Sequence, residues 1–163
     1  MFSITEIIDL AIQIEKNGEK IYRDAIRMVS DPSVSIILQQ LADEEVKHID
    51  WFLSLRQKIK SIPEDPQLED MKRSILAGVL GDQSFSLKDL DFSRSRSATD
   101  LLKSAIEFEK DTIIFYEMIR PLMENDESLN GLERIIKEEN QHIKHFQEIL
   151  DTGGLVIKKD EGR

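Results

Sequence analysis

The sequence contains no cysteine among its 163 residues. Disulfides, cysteine-ligated zinc or iron–sulfur sites and cysteine nucleophiles are therefore excluded from this chain. It also has only 7 glycines and 4 prolines, too few for the turns that an all-β fold requires. No apolar run approaches the roughly 20 residues of a membrane span. These absences favour an all-α protein without a membrane partner.

Positive charge is also scarce, with 22 Lys and Arg against 32 Asp and Glu and a formal net charge of −10. Nucleic acid binding requires a basic face, so we expect no nucleic acid partner. An acidic surface attracts cations, although it serves solubility equally well. The N-terminal residues 1–6 show neither the basic region nor the apolar segment of a secretory signal, which predicts a cytoplasmic location.

Apolar residues recur with a helical period in four segments of the chain. Each segment begins at a residue suited to cap a helix: Ser3, Asp31, Ser97 and Asn125. The second segment is predicted to end at about Lys60, because two prolines follow it. Its inward stripe is predicted to include Ile36, Ile37 and Leu41 among other residues.

The chain contains an internal repeat, in which residues 3–56 align without a gap with residues 97–150. A repeated helical hairpin predicts a four-helix bundle with pseudo-twofold symmetry. Joining two parallel hairpins requires the chain to travel back along a helix of roughly 38 Å, and segment 61–97 is long enough to form this crossover between helices 2 and 3. We expect one domain over 1–151 and a C-terminal tail over 152–163.

Six side chains that can bind metal lie inside the predicted apolar stripes. They are Glu15, Glu45 and His48 in the first half and, 94 positions later, Glu109, Glu139 and His142 in the second. A Glu on one helix and Glu-x-x-His on the next, repeated once, is the ligand set of di-metal carboxylate bundles. Residues three apart project from nearly one side of a helix, so each Glu-x-x-His pair can touch one metal ion. Such oxygen-rich ligands with one imidazole each suit iron or manganese.

Four inward carboxylates carry the charge that two divalent cations would balance, and without metal some of them should take up protons. Six ligands on two ions leave coordination positions open, where dioxygen or peroxide could bind. Tyr22 and Tyr116 stand two turns beyond Glu15 and Glu109 on the same faces. From there each either donates a hydrogen bond to a ligand carboxylate or only fills the core. The alternative for the whole set is a metal-free bundle whose acids lie at the surface.

We make separate predictions for four polar residues close in sequence to the candidate ligands. Glu44 and Glu138 point about 100° away from the residues that follow them, so we expect both to be solvated. Glu19 lies one turn after Glu15 and could reach the site as an additional ligand. His145 aligns with a tryptophan in the repeat and is predicted to be a rim or packing residue.

The four helical segments resemble the ferritin-like superfamily, and most closely its rubrerythrin-like di-iron branch. The segment 11–16, followed by Tyr22, is similar to the first helix of that branch, 41–48 to the second and 105–111 to the third. The resemblance covers all four helices, about two-thirds of the chain. It implies an all-α ferritin-like bundle holding two iron ions, with manganese as an alternative.

The resemblance also implies a role for each metal ligand. Glu45 and Glu139 would bridge the metals, Glu15 and Glu109 would be terminal ligands, and His48 and His142 would each bind one metal. The implied function is a di-iron oxidoreductase that reduces peroxide or oxygen, as a peroxidase or a ferroxidase. The alternatives are an iron-binding or storage protein of ferritin type and a metal-free structural bundle. A homodimer or larger homo-oligomer is expected.

Two departures from the family pattern bear on function. Rubrerythrins typically carry a rubredoxin-like domain with four cysteines, whereas this sequence has none, so we expect an external electron donor such as a rubredoxin-like protein. They also place a further glutamate one turn after the third-helix ligand, where this sequence has Thr112. That change shifts the expectation from peroxidase toward ferroxidase or oxidase chemistry. For the tail 152–163 we expect disorder or packing on a neighbouring subunit, although it faintly resembles docking tails of ferritin-like cargo proteins.

Overall fold

The computed structural model describes residues 3–60, 66–67, 70 and 98–151. Residues 3–60 and 98–151 form four long helices and a 3-10 turn, residues 66–67 and 70 are also helical, and none of the described residues lies in a strand. The helices are α1 (Ile4–Ile26), α2 (Pro32–Lys60), α3 (Ala98–Ile119) and α4 (Asp126–Asp151), with the turn at Arg120–Leu122 between α3 and α4. The predicted all-α four-helix bundle is confirmed. Most of the crossover 61–97 and the whole tail 152–163 lie outside the described residues.

Side chains cap the helices at three of the four predicted starts. The hydroxyl of Ser3 accepts a hydrogen bond from the Glu6 amide at 3.2 Å, and the Glu6 carboxylate accepts one from the Ser3 amide at 2.6 Å, which completes a capping box. Asp31 and Asn125 each accept from an amide in the first turn, at 2.9 and 2.8 Å. These bonds satisfy backbone donors that have no partner within the helix. The cap predicted at Ser97 lies outside the described residues.

The bundle consists of two helical hairpins packed face to face. Helix α1 packs along α2, and α3 packs along α4, while α1–α3 and α2–α4 contacts hold the hairpins together. The apolar stripes of all four helices meet in one core. Its largest fully buried side chains include the aromatic rings Tyr22, Tyr116, Phe52, Phe108 and Phe146. The metal-binding side chains predicted from the sequence lie in this same interior.

One part of the predicted stripe of α2 is wrong. Ile36 is 59% exposed and Ile37 only partly buried, while Val34 and Leu38 are buried in the core. A residue two positions from a buried neighbour is rotated about 200° around the helix. The inward face of α2 therefore runs through Val34, Leu38 and Leu41 and leaves Ile36 outside.

Membrane insertion finds no support in the described helices. In the ranges 3–60 and 98–151, no helix combines the length and the apolar character that crossing a bilayer requires.

Candidate metal centre

All six candidate ligands converge in the interior of the bundle. Each is buried, with at most 3% of its surface exposed. Helix α1 supplies Glu15, α2 supplies Glu45 and His48, α3 supplies Glu109, and α4 supplies Glu139 and His142. Charged groups are rarely buried unless they are paired or bind metal. The structure thus brings together the residues that the spacing selected, while their role as ligands stays a prediction.

These residues form two overlapping groups. One consists of Glu15, Glu45, His48 and Glu139, the other of Glu45, Glu109, Glu139 and His142, and in each the potential ligand atoms lie within 4.8 Å of one another. Glu45 and Glu139 belong to both groups. A carboxylate has two oxygens, so a shared residue can contact two ions at once. Each group could hold a metal ion, and the two groups share Glu45 and Glu139.

The imidazole rings present the same nitrogen to the centre. Nδ1 of His48 lies 3.0 Å from Glu139 Oε1 and 3.3 Å from Glu15 Oε2. Nδ1 of His142 lies 2.9 Å from Glu139 Oε2 and 3.4 Å from Glu109 Oε1. The two rings are nearly parallel, with centroids 6.2 Å apart. Nδ1 is therefore the nitrogen that each histidine could offer to a metal ion.

The opposite nitrogen of each histidine is paired with a glutamate from the other hairpin. Nε2 of His48 lies 2.8 Å from Glu138 Oε2, and Nε2 of His142 lies 2.5 Å from Glu44 Oε2. The prediction that Glu44 and Glu138 are solvated is only partly correct, because their side chains are 44% and 39% exposed but reach the histidines across the bundle. These bonds lower the pKa of both carboxyl groups. The signal that could have found them is the offset of 94, which also relates Glu44 to Glu138.

The two tyrosines exchange hydrogen bonds between the hairpins. Tyr22 on α1 donates to Glu109 on α3, and Tyr116 on α3 donates to Glu15 on α1. Burial, with the charge of the accepting glutamate second, raises the pKa of both phenols well above the usual value. Both hydroxyls therefore keep their protons and act as donors. The sequence left two roles open for each tyrosine, a hydrogen bond to a candidate ligand or simple filling of the core. The structure shows the hydrogen bond.

Protons are distributed unevenly over the buried groups. Burial and the charge of Glu139 raise the pKa of Glu109 to about 8, and the same two causes raise that of Glu45 well above its usual range. Burial alone would raise the pKa of Glu139, but the adjacent imidazoles of His142 and His48 lower it. Burial alone would lower the pKa of both histidines, but the surrounding carboxylates raise it. Protons on these groups therefore offset part of the buried negative charge, as bound cations would.

Several carboxylate oxygens remain without a hydrogen bond. Within the described ranges, Glu45 Oε1, Glu109 Oε2 and both oxygens of Glu139 are buried and accept none in good geometry. Leaving such groups unsatisfied is costly in a protein interior. All three residues belong to the two groups defined above. These buried carboxylate oxygens lack a well-aligned hydrogen bond and lie beside imidazole nitrogens. Such a set of ligand atoms fits divalent cations.

Three other polar residues singled out from the sequence have the following contacts and exposure. Glu19 Oε1 lies 3.1 Å from Arg23 Nε, and Glu19 belongs to neither group, so an additional ligand role finds no support. His145 is exposed, as expected for a rim residue. Thr112 is buried and its hydroxyl donates to the backbone carbonyl of Phe108 at 2.9 Å.

Comparisons with known proteins agree with this architecture. The family model described as rubrerythrin matches residues 6–150. A solved structure from Thermotoga maritima, described as a ferritin-like diiron-carboxylate protein, is similar with a TM-score of 0.68, 20% sequence identity, and coverage of 93% of this chain and 97% of that chain. At 20% identity, this similarity shows a shared fold and nothing further. No curated protein matches the chain.

Proposed function

Because the chain belongs to the rubrerythrin family, we propose that it is a di-iron oxidoreductase. In this proposal it reduces dioxygen or hydrogen peroxide with electrons from an external donor. The observation that carries the proposal is the pair of overlapping ligand groups that share Glu45 and Glu139.

In this proposal each group would hold one iron ion. His48 Nδ1 and Glu15 would hold one ion, and His142 Nδ1 and Glu109 would hold the other. The shared residues Glu45 and Glu139 would contact both. Four carboxylates and two divalent cations give a neutral interior, which removes the electrostatic cost of burying the acids.

The bound iron would supply the redox chemistry, with each ferrous ion giving one electron to the oxidant. The chain supplies the environment. Tyr22 and Tyr116 hold Glu109 and Glu15 in place, and Glu44 and Glu138 hold the outer nitrogens of the histidines. The apolar core around the centre limits the access of water. Oxygen-rich ligands with one imidazole each suit iron, with manganese as the alternative.

Buried carboxylate oxygens without a well-aligned hydrogen bond favour this proposal over a metal-free structural bundle. A purely structural interior would be expected to satisfy its buried acceptors or to replace them with apolar side chains. Here the oxygens without a well-aligned hydrogen bond belong to Glu45, Glu109 and Glu139, all of them candidate ligands, and those of Glu139 face the histidine Nδ1 atoms at 3.0 and 2.9 Å. Iron storage uses the same ligands, and it differs in requiring a large assembly and one-time iron uptake.

The test is the metal content per chain, with an optical spectrum of the same sample. We expect close to two irons per chain and the near-ultraviolet absorption of a ferric pair. Glu45→Ala and His142→Ala should lose both signals. His145→Ala is the matched control, because it removes an exposed imidazole one turn further along α4. It should behave as the unsubstituted protein does.

The outcomes separate the candidate functions. Repeated reoxidation of the ferrous protein by oxygen or peroxide, sustained by a donor, supports the oxidoreductase. A single round of iron uptake into a large assembly would replace it with storage. Two manganese ions per chain would redirect the assignment toward peroxide disproportionation. Absence of metal after anaerobic reconstitution with ferrous iron would overturn the proposal.

A further inference from the structure

A row of aromatic rings leads from a candidate ligand to the outside of the bundle. The hydroxyl of Tyr116 donates a hydrogen bond to Glu15. The Phe52 ring lies 5.3 Å from the Tyr116 ring, and the Trp51 ring lies 5.0 Å from the Phe52 ring in an edge-to-face arrangement. Tyr116 and Phe52 are fully buried, whereas Trp51 is only half-buried. The row therefore connects the surface to the centre through two short ring-to-ring steps.

The other half of the bundle repeats this row except at its outer end. Tyr22 donates to Glu109, and the Phe146 ring lies 5.7 Å from the Tyr22 ring. The position related to Trp51 by the repeat is His145, which is exposed. An indole loses an electron far more readily than an imidazole does. The internal symmetry is thus broken at the one residue of each row that meets the surface.

Close packing fixes the position of the indole. Gly131 on α4 faces Trp51, and a Cβ atom added at Gly131 would overlap the ring. The glycine lets the two helices enclose the indole even though glycine is unfavourable inside a helix by roughly 1 kcal/mol relative to alanine. The indole is therefore held between α2 and α4, with one part in contact with the core and another near solvent.

We propose that Trp51 is a one-electron relay between an external donor and the metal centre, acting through the row of Phe52 and Tyr116. This inference rests on the proposed oxidoreductase function. It assigns the surface around Trp51 as the place where the donor delivers its electron. The donor is a reduced one-electron carrier, such as an iron–sulfur protein.

The electron count defines when the relay operates. Reduction of dioxygen to two waters takes four electrons and four protons, and two ferrous ions supply two of those electrons. The remaining two would pass through Trp51 one at a time, and two further electrons from the donor would return the two ferric ions to the ferrous state. In each passage the indole would give one electron to the centre and become a radical cation. The donor would then return one electron, and Trp51 would be restored.

The composition of the chain permits an unambiguous test, because it has 1 Trp and 2 Tyr. Ferrous-loaded protein would be mixed with dioxygen without a donor, and the sample frozen for electron paramagnetic resonance. We expect an organic radical whose spectrum narrows with ring-deuterated tryptophan and does not change with ring-deuterated tyrosine. An added one-electron donor should remove the radical.

Substitutions separate a relay from mere packing. Trp51→Phe keeps an aromatic ring beside Gly131 but is hard to oxidise, so the tryptophan radical should be lost and donor consumption slowed. Trp51→Tyr should restore donor consumption and give a radical sensitive to tyrosine deuteration. His145→Phe, at the repeat-related position, should keep the Trp51 radical. Iron content and urea unfolding of each variant check that the fold is intact.

The failure of the relay differs from the failure of the proposed function. Two irons per chain with no tryptophan radical, or donor consumption that is equal in Trp51→Phe and the unsubstituted protein, would overturn the relay and leave the oxidoreductase standing. A chain that takes up no iron would overturn both.

Discussion

Glu44 on α2 pairs with His142 on α4 across the bundle, with Oε2 of the carboxylate 2.5 Å from Nε2 of the imidazole. Glu138 and His48 form the symmetry-related pair at 2.8 Å. A carboxylate at the outer nitrogen fixes the proton there and leaves Nδ1 facing the centre. Such a partner orients a histidine ligand and makes it more basic.

Removing the charge of these partners should weaken metal binding. Glu44→Gln and Glu138→Gln keep the shape of the side chain, and each is expected to lower iron affinity by about 10- to 100-fold. Affinity would be measured by competition with a chelator of known strength. Asp50→Asn, which removes a charge from the exposed face of α2, is the control. Equal affinities for all three variants would contradict the role assigned to the cross-bundle pairs.

The tyrosine hydroxyls should stabilise the metal-free fold. Tyr22→Phe and Tyr116→Phe each remove the donor to a buried carboxylate. Leaving such an acceptor unpaired costs about 1–3 kcal/mol of unfolding free energy. Urea denaturation of the metal-free proteins measures this loss. Because the two bonds are related by the repeat, similar losses are expected, and unchanged stability in both variants would show that the bonds contribute nothing.

The two helical glycines should respond differently to alanine. A Cβ at Gly18 would lie 3.1 Å from Glu45 Oε2 and 3.2 Å from Phe108 Cε1, so Gly18→Ala should displace the Glu45 carboxylate and weaken iron binding. The gain in helix propensity, up to about 1 kcal/mol, offsets much of the steric cost to stability. A Cβ at Gly131 meets the rigid Trp51 ring instead. Gly131→Ala should therefore lose about 1–3 kcal/mol of stability.

Chelator titration and urea unfolding of both glycine variants give the comparison. Gly131→Ala should bind iron nearly as well as the unsubstituted protein once folded. Weakened iron binding in Gly131→Ala together with normal binding in Gly18→Ala would contradict the prediction that Gly18, and not Gly131, keeps the Glu45 carboxylate in place.

The metal-free protein should become less stable as pH rises through neutrality. Burial and the charge of Glu139 raise the pKa of Glu109 from 4.5 to about 8, so between these values the folded state keeps a proton that the unfolded chain has lost. His48 and His142, whose pKa values the surrounding carboxylates raise above 6.5 despite burial, act in the same direction above 6.5. Each retained proton makes the unfolding free energy fall by about 1.4 kcal/mol per pH unit.

Denaturation of chelator-treated protein between about pH 6.5 and 8 measures this slope. Glu109→Gln, which keeps the side-chain size but cannot ionise, should flatten it. Iron-loaded protein should show the opposite trend, because ligands must release protons to bind metal. A slope that is the same with and without Glu109 would contradict the proton assigned to that carboxyl group.

Much of this centre could be predicted from residue spacing. A helical period places Glu15, Glu45 and His48 in apolar stripes, and the offset of 94 repeats them as Glu109, Glu139 and His142. The structure buries all six residues together. The same reasoning misplaced Ile36, because adjacent apolar residues of α2 offered two alternative inward faces.

The sequence by itself determined the helices, their caps, the repeat and the kinds of side chain directed inward. Helical period fixes the direction of a side chain relative to its own axis. Only the tertiary structure decided which residues meet across helices, because this depends on the separation and rotation of the axes. It therefore decided that Glu44 reaches His142, that Glu45 and Glu139 belong to both groups, and that Trp51 packs against Gly131.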